Sequence, residues 1–194
     1  QLFGYANFSQ SNAAFEENST FKWYKRTLYQ PQNRSLVGYW KLDGNANDSS
    51  PNGLHGTMNG SVSNQSQNCP IDDCMTFYTV ARKTNPAFIN LDAHVSAIQN
   101  LASGTIEYWF ITNNSGFGRT FAAGDRSDSS YVYVLHRNNG RVNLQISEGG
   151  GQIQVRTDEG YSDGKWHHVA FTVDASGNAL YIDGEAAAVT YDSG

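Results

Sequence analysis

The chain has 194 residues, of which 39% are hydrophobic and 13% aromatic, enough to build the core of one domain. Its formal net charge is −5, and its one basic cluster is "KWYKR" at 22–26, which argues against a nucleic-acid partner. No apolar run reaches the ~18 residues needed to span a membrane. Charged residues make up only 16%, a composition typical of an extracellular or cell-surface β-protein. Because residue 1 is Gln rather than Met, we expect a mature form or an excerpt of a longer protein.

Short alternating segments between turn residues predict an antiparallel β-protein with one short helix at 93–101. Turns such as "NNG" at 138–140 and "DG" at 183–184 separate the strands, a spacing that favours a sandwich or barrel. The predicted strands are 36–42, 75–79, 87–91, 104–111, 119–123, 131–136, 141–147, 152–156, 166–173 and 179–182.

The only cysteines, Cys69 and Cys74, lie in "NCPIDDC". We predict a disulfide that closes a small loop, which implies an oxidising compartment. A zinc site would need two further ligands at suitable spacing, and the sequence offers none.

Seven N-x-S/T triplets are candidate glycosylation sites, in keeping with a secretory route. They begin at Asn7, Asn18, Asn33, Asn47, Asn59, Asn64 and Asn113.

Two adjacent histidines occur in "DGKWHHVAFTVD" at 163–174. Neighbouring residues of a strand point to opposite faces, so His167 and His168 cannot easily bind one metal ion together. We therefore interpret them as strand residues, one packed between the sheets and the other near a sheet face or edge.

The same segment carries a family resemblance. "YSDGKWHHVAFTVDASGNALYIDGE" at 161–185 resembles the hairpin of laminin-G-like and pentraxin-like domains of the concanavalin A-like lectin/glucanase superfamily. "LVGYWKLDGNANDSSPNGLHGT" at 36–57 and "TIEYWF" at 105–110 resemble the opening and central strands of that family. The resemblance implies an all-β jelly-roll sandwich of two antiparallel sheets over 36–194, preceded by an N-terminal extension at 1–35.

The resemblance stops short of the family's usual last strands, because the chain ends at "AVTYDSG". In the family the final strand pairs with the opening one. Three alternatives stay open: residues 1–35 fill that gap in their own domain, they fill a neighbour's gap by strand donation, or the chain is an excerpt.

Calcium is the expected cofactor, because related domains bind it through loop carboxylates and carbonyls. Candidate ligands are Asp43, Asp48 and Asn52 in "DGNANDSSPNG", with Asp125 in a second, weaker cluster. The resemblance carries over best to Asp48. In the alternative interpretation, Asp48 and Asn52 cap turns through the backbone.

Sugar binding is what the superfamily implies, and Tyr131, Tyr133, His136 and Arg137 are the candidate glycan-binding residues. Glycanases need paired carboxylates, whereas the central strand offers Glu107 alone, so we expect no catalysis. The predicted function is extracellular recognition or adhesion with a glycan or glycoprotein as partner. The alternative is a structural subunit that binds copies of itself through strand addition by residues 1–35.

Overall fold

The computed structural model of the protein describes residues 2–4, 36–78, 86–97, 103–113, 118–124, 130–137, 139–148, 151–175 and 177–193. Within these ranges the regular structure consists of antiparallel strands and one short 3₁₀ helix. The first eight are β1 (Leu2–Gly4), β2 (Tyr39–Trp40), β3 (Thr57–Asn59), β4 (Ser61–Gln65), β5 (Cys74–Tyr78), β6 (Phe88–Asn90), β7 (Gly104–Ile111) and β8 (Gly118–Gly124). They are followed by β9 (Tyr131–His136), β10 (Val142–Glu148), β11 (Gly151–Thr157), β12 (Trp166–Asp174), β13 (Gly177–Ile182), β14 (Glu185–Ala186) and β15 (Val189–Ser193).

The strands form two main sheets. The six-stranded sheet has the order β14-β13-β12-β7-β1-β2, and the five-stranded sheet has the order β15-β11-β10-β9-β8. Two small ribbons, β3-β6 and β4-β5, accompany them. This arrangement confirms the predicted all-β sandwich with antiparallel sheets.

The core lies between the two main sheets and follows directly from strand alternation. Phe171 and Val169 of β12 face Val134 of β9 and Leu144 of β10 in one cluster of buried residues. Phe171 is only 2% exposed and belongs to the largest fully buried side chains. The period-two pattern of "WHHVAFTV" and "YVYVLH" therefore identified the core face of both sheets.

The predicted strands 104–111 and 131–136 match β7 and β9 in full. The predicted strand 36–42 is reduced to β2, and Leu42, two residues after the end of β2, adopts a positive φ of 57°, in the left-handed region. The predicted helix 93–101 is a 3₁₀ helix over Asp92–Ala97, and residues 98–101 lie outside the described ranges. No helix in the described part of the chain is long and apolar enough to cross a membrane.

The strand β1 comes from the predicted N-terminal extension and lies inside the six-stranded sheet. It pairs antiparallel with β2, where Leu2 is opposite Trp40, and with β7, where Phe3 is opposite Glu107. The described residues of the extension are therefore part of the sandwich itself.

The predicted disulfide is present. Cys69 and Cys74 are joined at the base of the β4-β5 ribbon. The residue that immediately precedes Cys69 contacts the six-stranded sheet, because the indole Nε1 of Trp166 donates a hydrogen bond to the carbonyl of Asn68. The crosslinked loop is thus attached to the first residue of β12.

Candidate functional site

The face of the five-stranded sheet that points away from the core carries a polar and aromatic surface, which we call the tyrosine face. The registers of β9, β10 and β11 align its residues in three rows across the strands. The rows are Tyr131–Ser147–Gln152, Tyr133–Gln145–Gln154 and Leu135–Asn143–Arg156.

Two tyrosines stand side by side at one edge of this face. The rings of Tyr131 and Tyr133 are stacked, with centroids 4.2 Å apart and an interplanar angle of 13°. The guanidinium carbon of Arg119 lies 4.7 Å from the centroid of the Tyr133 ring, within range of a cation–π contact. The Nε2 of Gln152 donates a hydrogen bond of 2.9 Å to the hydroxyl of Tyr131. Neighbouring strands therefore hold both rings in fixed positions.

Two residues of the third row are buried. Leu135 is 0% exposed and Asn143 is 1% exposed, although both lie on the side of the sheet that faces away from the core. The side-chain amide of Gln145 donates to Gln154 Oε1 at 2.8 Å. By contrast, neither Oδ1 nor Nδ2 of Asn143 has a hydrogen-bond partner within the described part of the chain. Buried amides are nearly always paired, so Asn143 is an exception that calls for an explanation.

His136, another of the predicted glycan-binding residues, does not lie on the tyrosine face. His136 points into the core, where it is 7% exposed and its ring centroid is 4.1 Å from that of Phe110. Burial, together with the nearby charge of His167, lowers the pKa of His136 to about 4. Arg137 follows the end of β9 and is half-buried. The alternation of β9 therefore places Tyr131 and Tyr133 together but puts His136 on the opposite face.

The predicted metal loop is organised around Asp48, whose carboxylate is occupied by the protein itself. Oδ1 accepts hydrogen bonds from the backbone N–H groups of Tyr39 and Ser50, each at 2.8 Å. Oδ2 accepts bonds from Ser50 Oγ at 2.7 Å and from the Leu54 N–H at 2.8 Å. Burial alone would raise the pKa of Asp48, but these hydrogen bonds outweigh it and lower the pKa below its usual value.

The remaining predicted metal ligands are not assembled around an ion site. Asn52 donates through Nδ2 to the carbonyls of Leu36 and Val37, and Asp43 accepts a bond of 3.0 Å from Asn45. Asp125 lies outside the described residues. Among the residues that the structure describes, no group of three His, Cys, Asp or Glu side chains could hold a metal ion. The described oxygen atoms of this loop thus fit the turn-capping interpretation better than a calcium site.

His167 lies between two carboxylates, an arrangement that was not predicted from the sequence. Its Nδ1 lies 2.8 Å from Asp183 Oδ2 and its Nε2 lies 3.0 Å from Asp163 Oδ1. Burial would lower the pKa of His167, but the hydrogen bonds and charges of the two carboxylates outweigh it and raise the pKa. The bond from His167 lowers the pKa of Asp163 to about 2. The other oxygen of Asp183 accepts the backbone N–H of His168 at 2.8 Å, so the arrangement joins β12 to the β13-β14 turn.

Glu107, the single acid of the central strand, does not lie near Arg156 or His136, which are two other side chains with chemistry suited to polysaccharide cleavage. Glu107 lies on the outer face of the six-stranded sheet, Arg156 on the outer face of the other sheet, and His136 in the core. Glu107 has His168 beside it, with Oε2 4.0 Å from Nε2, and burial raises the pKa of Glu107 to about 7. Among the residues that the structure describes, the ionisable side chain recorded beside Glu107 is His168, whereas glycoside hydrolysis uses a pair of acids.

The described glycosylation candidates lie on loops and strands at the protein surface. Asn47, Asn64 and Asn113 are exposed and Asn59 is half-buried. The triplets at Asn7, Asn18 and Asn33 fall outside the described residues. Occupancy of all seven sites stays a prediction.

Comparisons with known proteins find laminin-G-type relatives of this chain. A laminin-G-type family model, described as the concanavalin A-like lectin/glucanases superfamily, matches residues 86–194. The Caenorhabditis elegans protein named neurexin like receptor 1 is 24% identical over 102 residues, which make up 53% of this chain and 9% of that protein. Mouse laminin subunit alpha-4 is 30% identical over 74 residues, which make up 38% of this chain and 4% of that protein.

Among solved structures, domains LG4-5 of the mouse laminin alpha1 chain match with a TM-score of 0.41 and 21% identity. That match covers 47% of this chain and 24% of the laminin chain. The chain therefore corresponds to a small part of the proteins that it resembles.

Proposed function

Because the chain belongs to the concanavalin A-like lectin/glucanases superfamily in its laminin-G-like form, we propose that it is a non-catalytic recognition module that binds a glycan or glycoprotein through the tyrosine face. The family membership confirms the resemblance drawn from the sequence. The proposal places the module outside the cell or on its surface, where such partners are found.

The observation that carries the proposal is the stacked pair of Tyr131 and Tyr133 on the outer face of the five-stranded sheet. Asn143 lies on the same face, and its side-chain amide has no hydrogen-bond partner among the described residues. A buried amide offers one acceptor and two donor hydrogens, and a sugar hydroxyl can both donate and accept. The stacked rings of Tyr131 and Tyr133 add an apolar surface beside it. A few fixed polar groups next to aromatic rings are the usual composition of a small-molecule site.

Calcium has no role in this proposal. The carboxylate oxygens of Asp48 are used by four protein donors, and the side-chain amide of Asn52 is directed at two backbone carbonyls. We therefore expect glycan binding that does not change when EDTA is added.

The first test is a glycan array on the purified protein, with and without EDTA, followed by titration of the best ligand. Tyr131→Ala and Tyr133→Ala should each weaken binding at least tenfold, about 1.4 kcal/mol, because each removes one ring of the stack. Tyr78→Ala is the matched control, because Tyr78 is 50% exposed on the separate β4-β5 ribbon. A blank array from folded protein, or equal losses in all three variants, would refute the proposal.

The second test uses Asn143→Leu, a change of similar volume. Replacing an unpaired buried amide with an apolar side chain should leave the free energy of unfolding unchanged or raise it by about 1 kcal/mol. The same variant should lose glycan binding, because the ligand's hydroxyls then have no partner there. Denaturant unfolding measures the stability of the variant, and titration with the glycan measures its binding. A variant that is clearly less stable would show that Asn143 serves the fold instead of a ligand.

A further inference from the structure

The outer face of the six-stranded sheet, on the opposite side of the sandwich from the tyrosine face, has a gap at Ala170 of β12. In the strand register Ala170 lies between Glu107 of β7 and Tyr181 of β13. Because neighbouring strands are about 4.8 Å apart, the backbones that carry Glu107 and Tyr181 are roughly 10 Å apart, with only a methyl side chain between them. We call this gap the Ala170 notch.

The two neighbouring rows of side chains border the notch. Trp109 and His168 are opposite each other in one row, and their ring centroids are 5.1 Å apart. Thr105 and Thr172 are opposite each other in the other row. The notch is therefore surrounded by a carboxyl group, by aromatic rings on two sides and by hydroxyl groups on the fourth.

The carboxyl group of Glu107 is poorly matched by the described part of the chain. Its side chain is only 15% exposed, and the ion-pair partner recorded there is His168, whose Nε2 is 4.0 Å from Oε2, too far for a hydrogen bond. Burial lowers the pKa of His168, so the imidazole supplies little positive charge at neutral pH. Burial likewise raises the pKa of Glu107 to about 7, as expected for a carboxyl group without a compensating donor.

We propose that the Ala170 notch binds an arginine side chain of a partner protein, whose guanidinium group pairs with Glu107 between the rings of Trp109 and Tyr181. A guanidinium group matches a carboxylate through two parallel hydrogen bonds and also stacks on aromatic rings, which an ammonium group does less well. Its positive charge and its donors supply what the half-buried carboxylate lacks.

The surroundings of the notch favour a protein partner over a free amine. Beyond Trp109 the same face continues to Ile111, which is 45% exposed, and to Trp166, which is opposite Ile111 in the register. Aromatic and aliphatic side chains around a buried charge are typical of protein interfaces, in which arginine and tryptophan carry much of the binding energy. Trp166 is itself held by its bond to the carbonyl of Asn68, next to the disulfide, so this border of the face is fixed.

The test titrates isotope-labelled protein with a defined probe, the peptide acetyl-Gly-Arg-Gly-amide, and follows the backbone amide signals by NMR. We expect saturable shifts centred on β7, β12 and β13, with a Kd on the order of 1 mM. The same peptide with citrulline, which keeps the shape of arginine but not its charge, should bind about tenfold more weakly or worse. A lysine peptide should bind with intermediate affinity, because it keeps the charge but not the planar fork.

Two variants locate the binding. Glu107→Gln should weaken binding of the arginine peptide about tenfold or more, because it removes the charge and keeps the shape. Ala170→Leu should weaken it similarly, because it fills the notch and keeps the charge. The matched control is Glu185→Gln, at an exposed glutamate of edge strand β14 in the same sheet, and it should bind as wild type does.

The result is independent of the proposed glycan site, because Tyr133→Ala on the tyrosine face should bind the arginine peptide normally. Circular dichroism checks that each variant is folded, and Ala170→Leu decides alone if Glu107→Gln does not fold. Absence of saturable shifts in β7, β12 and β13, or equal binding of the citrulline peptide, would overturn the proposal. Unchanged binding by the folded notch variants would overturn it as well.

Discussion

Replacing Asp48 with alanine is expected to lower the free energy of unfolding by about 3–5 kcal/mol. The side chain is buried and its two oxygens accept four hydrogen bonds from Tyr39, Ser50 and Leu54. Without the carboxylate, three backbone N–H groups at the end of β2 and in its loop lose their acceptor. Denaturant unfolding followed by circular dichroism measures the loss.

Two controls separate this role from metal binding. Asp43→Ala should change stability by less than about 0.5 kcal/mol, because Asp43 makes one bond to Asn45 at the partly exposed start of the loop. The wild-type unfolding midpoint should not shift with EDTA. A midpoint that falls in EDTA, with Asp43→Ala and Asp48→Ala equally affected, would show that the loop holds a metal ion after all.

The Asp48 contribution should also depend on pH in a defined direction. Its pKa is lowered in the folded state, so the stabilisation is present above the pKa of the unfolded chain and is lost as pH falls through the folded value. The difference between wild type and Asp48→Ala should therefore shrink in acid.

Substituting His167 with glutamine should cost about 2–3 kcal/mol near pH 6, because it removes two hydrogen bonds between a cation and carboxylates. We take the lower part of the range for charged bonds, because Asp163 and Asp183 are about half exposed. Since the pKa of His167 is raised on folding, its stabilisation is complete below the unfolded value of 6.5 and is lost as pH rises through the folded value. The wild-type free energy of unfolding should fall above pH 6.5, and the variant should lack that fall.

The matched control is His168→Gln, the neighbouring residue on the opposite face of β12. Burial lowers the pKa of His168 and of His136, so neither histidine contributes a decrease in stability as pH rises above 6.5. Glu107, whose pKa is raised to about 7, adds its own decrease in stability mainly between pH 4.5 and 7. A pH profile of His167→Gln that parallels wild type above pH 7 would contradict the assignment of that decrease to His167.

Features of the fold and of the candidate site could be predicted from the sequence when they depend on residues close together along the chain. Strands β7 and β9 were predicted to the residue, because alternation and flanking turns are local signals. The pairing of Tyr131 with Tyr133 on one face follows from the same alternation. His136, chosen only because it is near in sequence, lies on the other face for that reason.

Features that depend on strand register could not be predicted. Asp163 is four residues before His167 and Asp183 is sixteen after it, and only the β12-β13 pairing brings all three together. Likewise, the burial of Asn143 becomes visible only when β9, β10 and β11 are placed side by side. The role of Asp48 was left open between a metal ligand and a turn cap, and the choice between them required the positions of four donors.

The place of β1 in the sheet also sets an order of events during synthesis. The strand β1 can meet β2 as soon as Trp40 has been made, but β7 follows roughly 65 residues later. At a synthesis rate of about 5–20 residues per second, β1 waits about 3–13 s for its second neighbour. During that interval the nascent chain is still attached to the ribosome, and one edge of the short apolar strand β1 has no pairing partner. We expect the six-stranded sheet to be completed late, and a chaperone that shields extended segments to raise the yield of folded chain.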